Sequence, residues 1–261
     1  MNFQQGPAAI DQRSVANRLL KVLPPDDWDL LAPCLERVQL KGRQILHHAR
    51  MPMEHVYFIE RALVSVSARI APGQWVEVWL IGSEGMTGVP VLLGNPREPA
   101  LRRMVQIGGD AYRIASRDLL KAAEASRTLR CALLRYVEIV LLQTSQSGAC
   151  NSHHTVAQRL ARWLLLARDC LGEDAIPLTH DVLARLLGVR RPSVTDGLGA
   201  LQAEGAIRLG RGRIQIMDDA PLERASCHCL QVIRREYRRL IEDGGDDHAG
   251  PPSAESSITR M

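Results

Sequence analysis

Lysine is nearly absent from this sequence: of 33 basic residues only Lys21, Lys41 and Lys121 are lysine, and the rest are arginine. Arginine suits phosphate and guanine recognition, but the bias runs along all 261 residues and reads as genome composition rather than as a site. Long apolar runs are missing as well. The longest, such as residues 89–93 and 163–167, are far too short to cross a bilayer, and the N-terminus carries no apolar signal core. A cytoplasmic protein with no membrane partner is therefore expected. The six cysteines (Cys34, Cys131, Cys150, Cys170, Cys227 and Cys229) are scattered, unlike a secreted disulfide framework. There is no P-loop, no H-E-x-x-H, no nucleophile elbow and no paired C-x-x-C spacing, so no enzyme is expected.

What is present is an ordinary globular composition, 46% hydrophobic and 24% charged, with a net charge of +4. The length allows two domains with their own cores. A mildly basic balance permits nucleic-acid binding without arguing for it.

Residues 178–216 do point to nucleic acid. Thr179 is a good N-cap, Val182, Leu183, Leu186 and Leu187 follow at helical spacing, and Gly188 stops the helix. A second helix begins after Val189, because Pro192 suits a first turn and Val194, Leu198 and Leu201 share one face. After Gly205, two short extended runs flank Gly210-Arg211-Gly212 and read as a β-hairpin with a basic tip. Helix, tight turn, helix and wing make a winged helix-turn-helix, whose second helix enters the major groove of duplex DNA.

The side chains placed to meet bases or phosphates are Thr179, His180, Arg190, Arg191, Ser193, Asp196, Arg211 and Arg213. Arginine can grip two acceptors on a guanine edge, and aspartate can accept from cytosine or orient an arginine. From Gly188 to Met217 five arginines stand against Asp196 and Glu204, a local net of +3. An ordinary solvated charged face is the competing reading.

Elsewhere, an amphipathic helix is expected from Gln12 to the Pro24-Pro25 pair and another over residues 28–35. Extended segments are expected at 56–59, 63–68, 75–81, 89–93, 104–107 and 111–114, punctuated by glycines, as in an antiparallel sandwich or barrel. One long helical block spans 114–147, with Leu129, Leu133, Tyr136, Val137, Val140, Leu141 and Thr144 as a near-heptad stripe. That stripe either packs on its own sheet or forms a subunit seam, and the seam is favoured because two-fold dimers read two half-sites. A further helix spans 155–171. The tail 245–261 is rich in Gly, Pro, Ser and Asp and should be disordered. Cys227, His228 and Cys229 are tightly spaced candidates for a metal or for oxidation, but with no second cluster near in sequence no metal is assigned.

This order resembles the Crp/Fnr family of transcription regulators over about residues 20–216. The most specific matches are Gln158-Arg159-Leu160-Ala161, Leu187 to Arg191 through Val194, and Glu204-Gly205-Ala206-Ile207. The resemblance implies an α+β protein: an antiparallel β-roll sensor of the double-stranded β-helix type (12–115), a long dimerisation helix (116–150), a C-terminal winged helix-turn-helix (151–220), and a C-terminal helix with tail (221–261). It also implies a homodimer on double-stranded DNA, with RNA polymerase as a partner.

Three recognition-helix positions of the family fall on Arg191, Pro192 and Asp196, and only the first keeps the familiar arginine. A different operator follows. In cyclic-AMP-binding members a glycine-glutamate turn and an Arg-Ser pair clamp the ligand; here the turn reads Gly85-Met86-Thr87-Gly88 and the pair falls at Pro99-Ala100. The usual phosphate-binding residues of a cyclic nucleotide site are thus absent. Effector candidates remain at Met86, Thr87, Gly88, Arg102, Arg103, Thr144 and Ser145, the last two aligning with a hydroxyl pair on the dimer helix. Only Cys34 precedes Cys131, which argues against an iron–sulfur cluster, while His47, His48 and His55 are the residues a haem reading would need. The second reading is a small-molecule or redox sensing module acting through a protein partner instead of DNA.

Overall fold

The computed structural model describes residues 10–243. The chain opens with a 3-10 turn, Gln12–Ser14, and two short helices, α1 (Arg18–Lys21) and α2 (Pro25–Leu31). The single helix expected from Gln12 is broken at Asn17. The Asn17 side chain accepts from Leu20 N and donates to the Ile59 and Gly85 carbonyls, while the Glu60 carboxylate accepts the N–H groups of Ala16 and Asn17. These buried bonds to distant residues satisfy the backbone groups that a continuous helix would have paired. The second helix starts at Pro25, three residues early, with proline in its first turn, and gives way to a 3-10 turn at Ala32–Cys34.

The roll follows: β1 (Glu36–Leu40), β2 (Ile45–His47), β3 (His55–Ile59), β4 (Leu63–Ala71), β5 (Gln74–Ile81), helix α3 (Val89–Leu92), β6 (Arg102–Ile107) and β7 (Gly109–Ala115). Two antiparallel sheets, ordered β1-β7-β3 and β2-β6-β4-β5, enclose Val56, Phe58, Val64, Val66, Val105 and Ile114. The strand expected at 89–93 is instead α3. Pro90 cannot donate to a ladder but suits a first helical turn, so the apolar run closes into one turn.

The helical block is likewise two helices, α4 (Ser116–Ala125) and α5 (Arg127–His153). Ser126 is extended, caps Leu129 N and donates to the Asp27 carboxylate, a partner a hundred residues away that sequence periodicity does not reveal. At 27 residues α5 is about 40 Å long. Most of the expected seam faces inward: Leu129, Leu133, Tyr136, Val137 and Val140 are buried in the roll's own core, while Leu141 is 61% exposed. The outward stripe is Leu134, Glu138, Leu141, Ser145 and Gly148, spaced four and three apart.

Beyond α5 come α6 (Val156–Leu171), β8 (Ala175–Ile176), α7 (His180–Leu187), α8 (Arg191–Ala203), the hairpin β9 (Ile207–Gly210) and β10 (Arg213–Ile216), α9 (Asp219–Ala225) and α10 (Cys229–Tyr237). They share a second core, to which β4 and β5 contribute Leu63 and Leu80. A π-helical turn, Arg238–Glu242, then returns to the roll: Tyr237 donates to the Glu84 carbonyl at 2.7 Å, and Leu240 and Ile241 enter the first core. The tail expected to be disordered, 245–261, lies outside the described residues.

Gly85 sets how closely α5 approaches the roll. A Cβ there would stand 2.2 Å from the Tyr136 hydroxyl, which donates to the Met86 carbonyl at 3.1 Å. Gly85→Ala is expected to lower unfolding stability by about 2 kcal/mol in denaturant titration. An unchanged midpoint would show that Tyr136 is not held there.

Candidate nucleic-acid interface

Each boundary of the helix pair has a local cause. Thr179 Oγ1 accepts from Val182 N at 3.4 Å, and Gly188 closes α7 in the left-handed conformation at φ 64°. Gly197 lets α8 cross α6 closely, since a Cβ would stand 2.6 Å from Leu160 Cδ1. Val194, Leu198 and Leu201 are buried, as their spacing requires. The β9–β10 hairpin turns at Arg211-Gly212, with Gly212 at φ 70°, and β8 adds a third strand.

Of the eight candidate contacts, Arg190, Arg191, Asp196, Arg211 and Arg213 are exposed around the start of α8 and the hairpin tip, and Ser193 is half-buried. Thr179 is exposed, but its hydroxyl is committed to the cap. His180 Nδ1 lies 3.0 Å from Thr195 Oγ1. Arg191 Nε meets Asp181 Oδ1 at 3.1 Å. This exposed ion pair contributes little stability and engages Nε, not the two terminal nitrogens of the guanidinium. Arg190 caps α8 without a side-chain bond, so the first-turn N–H groups are not taken by a capping side chain. Sequence reasoning missed Asp181 and Thr195. The i, i+4 spacing of Arg191 and Thr195 was the available signal.

The seven effector candidates do not converge in this way. Met86 and Thr87 are buried, and Thr87 Oγ1 accepts from Tyr57 N. Gly88 packs on Val56. Arg102 stacks on Trp75 at 4.2 Å; Arg103 is buried, donates to the Leu101 carbonyl, and has its pKa lowered to about 10 by burial. The hydroxyls of Thr144 and Ser145 bond back to the carbonyls of Val140 and Leu141 on their own helix. A cavity of about 260 Å³ opens instead where the roll, α5, α6 and α10 meet, lined by Arg18, Glu84, Tyr136, Gln143, Asp169 and Tyr237 among others. His47 is buried with Nε2 at 2.8 Å from the His55 carbonyl, and burial pushes its pKa down to about 4; His48 is exposed.

The metal candidates regroup. His228 is exposed and is not part of the cluster, whereas Cys227 and Cys229 meet Cys150 and His154 from the end of α5. The i, i+4 pair Cys150 and His154 was visible in the sequence, but nothing local joined it to residues more than seventy positions on.

Residues 158–225 match the Crp-like helix-turn-helix domain family. Together with the β-roll and the long helix, this makes the chain similar to the DNA-binding transcription regulators of the Crp/Fnr family. It is 26% identical over 181 residues to the global nitrogen regulator of Nostoc sp., covering 66% of this chain and 81% of that protein. It is 43% identical over 53 residues to the transcriptional regulator SdrP of Thermus thermophilus, covering 20% of this chain and 26% of that one. Among solved structures, FixK2 of Bradyrhizobium japonicum superposes with a TM-score of 0.64 at 16% identity, covering 74% of this chain and 98% of the other. The c-di-GMP-responsive regulator CLP of Xanthomonas campestris superposes with a TM-score of 0.60 at 17% identity, covering 75% and 100%. Among the described residues no helix is long and apolar enough to cross a membrane.

One ionisable group joins the DNA-binding domain to the roll. Glu77 on β5 accepts from Trp163 Nε1 on α6 at 2.7 Å, while its other oxygen is covered from solvent. Burial pushes the Glu77 carboxyl up to about 7, against the Trp163 bond, Ser65 and the charge of Arg162. The folded state therefore binds a proton that the unfolded state has released between an ordinary glutamate pKa and about 7, and stability falls as pH rises through that window. Glu77→Gln keeps an acceptor for Trp163 and removes the ionisation. Its melting midpoint is expected to exceed the parent's at pH 8 by about 3 °C and to match it at pH 4.5. An equal offset at both values would place the effect elsewhere.

Proposed function

We propose that the protein binds DNA as a homodimer through α8 and the β9–β10 wing, with Arg191 reading a base edge and Arg190, Arg211 and Arg213 holding phosphates. The observation that carries this reading is the clustering of exposed arginines at one end of the domain, with Arg191 paired to Asp181. Thr195 lies on the same helix face as Arg191 and, with the exposed Asp196, belongs to the reading surface. Pro192 offers neither a side-chain donor nor an acceptor, so it reads no base edge by hydrogen bonding.

Dimerisation is assigned to the outward stripe of α5. Leu134 and Leu141 supply the apolar contacts, and Ser145 and Gly148 allow close helix approach toward the DNA-binding end. The β-roll is the effector-sensing unit. Arg103, buried among the strands with no carboxylate paired to it among the described residues, favours an anionic effector. RNA polymerase is the partner through which a bound dimer would act, and the cytoplasm is the compartment that fits.

Two variants separate base reading from phosphate holding. Arg191→Ala should lose about 1–3 kcal/mol of discrimination at one operator position, whereas Arg211→Ala should weaken all duplexes alike and reduce the salt slope by about 1. Equal loss on operator and random DNA in both variants overturns the assignment. For the seam, Leu134→Lys with Leu141→Lys is expected to give a monomer in sedimentation with the roll still folded. A dimer that survives both lysines would place the interface on another surface.

A further inference from the structure

Three cysteines and one histidine converge where α5 ends. Cys150 and His154 stand one turn apart, His154 being the C-cap of α5; Cys227 lies in the link between α9 and α10, and Cys229 is the first residue of α10. The three thiol sulfurs and a ring nitrogen of His154 all lie within 4.8 Å of one another. Cys150 Sγ is 3.5 Å from Cys227 Sγ, and Cys229 Sγ is 3.7 Å from His154 Nδ1. The cysteines are 0%, 4% and 3% exposed and form a small core of their own, separate from both aliphatic cores.

We propose that Cys150, His154, Cys227 and Cys229 are the four ligands of one thiophilic divalent metal ion of the zinc type. With zinc–sulfur and zinc–nitrogen bonds of about 2.3 and 2.0 Å, a tetrahedron spaces its ligand atoms about 3.5–3.8 Å apart, and the Cys150–Cys227 and Cys229–His154 separations fall in that range. An iron–sulfur core would hold the sulfurs farther apart, because several irons and sulfides lie between them. Three soft thiolates with an imidazole select zinc-like ions over hard cations, and four protein ligands leave no open position for catalysis.

Charge and position agree with the assignment. Three thiolates and a neutral imidazole around a doubly charged cation leave one negative charge, and the buried guanidinium groups of Arg159 and Arg162 both act on Cys150. Arg159 also donates to the Leu187 carbonyl, at the end of the first helix of the helix-turn-helix pair. The ion would tie the end of α5 to the segment entering α10, at the hinge before α6. It would thus set the angle of the DNA-binding domain on the long helix. The site stands on its own geometry and does not depend on which residues contact DNA.

The test uses the full chain, reduced and stripped of metal with a chelator, then titrated with cobalt(II). The expected result is saturation at one ion per chain, with the intense visible bands of tetrahedral cobalt and a thiolate charge-transfer band, both abolished by added zinc. Cys150→Ser and Cys227→Ser should lose these bands, while His228→Ala and Cys34→Ser should keep them. Zinc should also raise the melting midpoint of the parent chain, a readout that stands even if the cysteine variants fold poorly. Weak octahedral cobalt bands, no saturation at one per chain, or bands persisting in a folded Cys150→Ser/Cys227→Ser double variant would overturn the proposal.

Discussion

Burial of one face of α5 is the constraint on which the rest of the molecule depends. Leu129, Leu133, Tyr136, Val137 and Val140 are removed from water against the roll. Side chains of this size each contribute about 1.5–3 kcal/mol when fully buried, so the helix cannot rotate about its axis without losing several of them at once. That fixes which residues face outward, where the helix ends, and where α6 and the helix-turn-helix pair begin. The small glycine at 85 and the hydroxyl of Tyr136 set the closeness of that packing.

The contacts between the DNA-binding domain and the roll are of two kinds. Leu63 and Leu80 join the second hydrophobic core, and Gly188 lies close to Val76 at the turn between α7 and α8. Glu77 and Trp163 add a hydrogen bond whose carboxylate pays a desolvation cost, so this boundary is less stable at high pH than an apolar one of the same area. The break between the two helices is at His154-Thr155, where α5 ends and the Thr155–Gln158 capping box starts α6.

The helix-turn-helix was legible in the sequence because its boundaries are set locally: Thr179 caps, Gly188 takes a left-handed conformation, Pro192 suits a first turn, and Gly212 turns the wing. The strands at 63–71 and 74–81 were legible for a similar reason. What escaped depends on partners distant in sequence. The break at Asn17 needs Glu60, the break at Ser126 needs Asp27, and the four-ligand cluster needs two pairs more than seventy residues apart. The apolar run at 89–93 was ambiguous by periodicity, although Pro90 spoke against a ladder. The stripe on α5 was found, but its direction was not, because a heptad pattern marks a buried face without saying what buries it.

If two copies pair through the outward stripe of α5, each presents one α8, related by a two-fold axis. The most direct measurement is selection of bound duplexes from a random pool by the full chain. The account predicts enrichment of an inverted repeat whose half-sites are centred about 10 base pairs apart, one helical turn of DNA. Recovery of isolated half-sites without a partner, or no enrichment above random sequence, would contradict it.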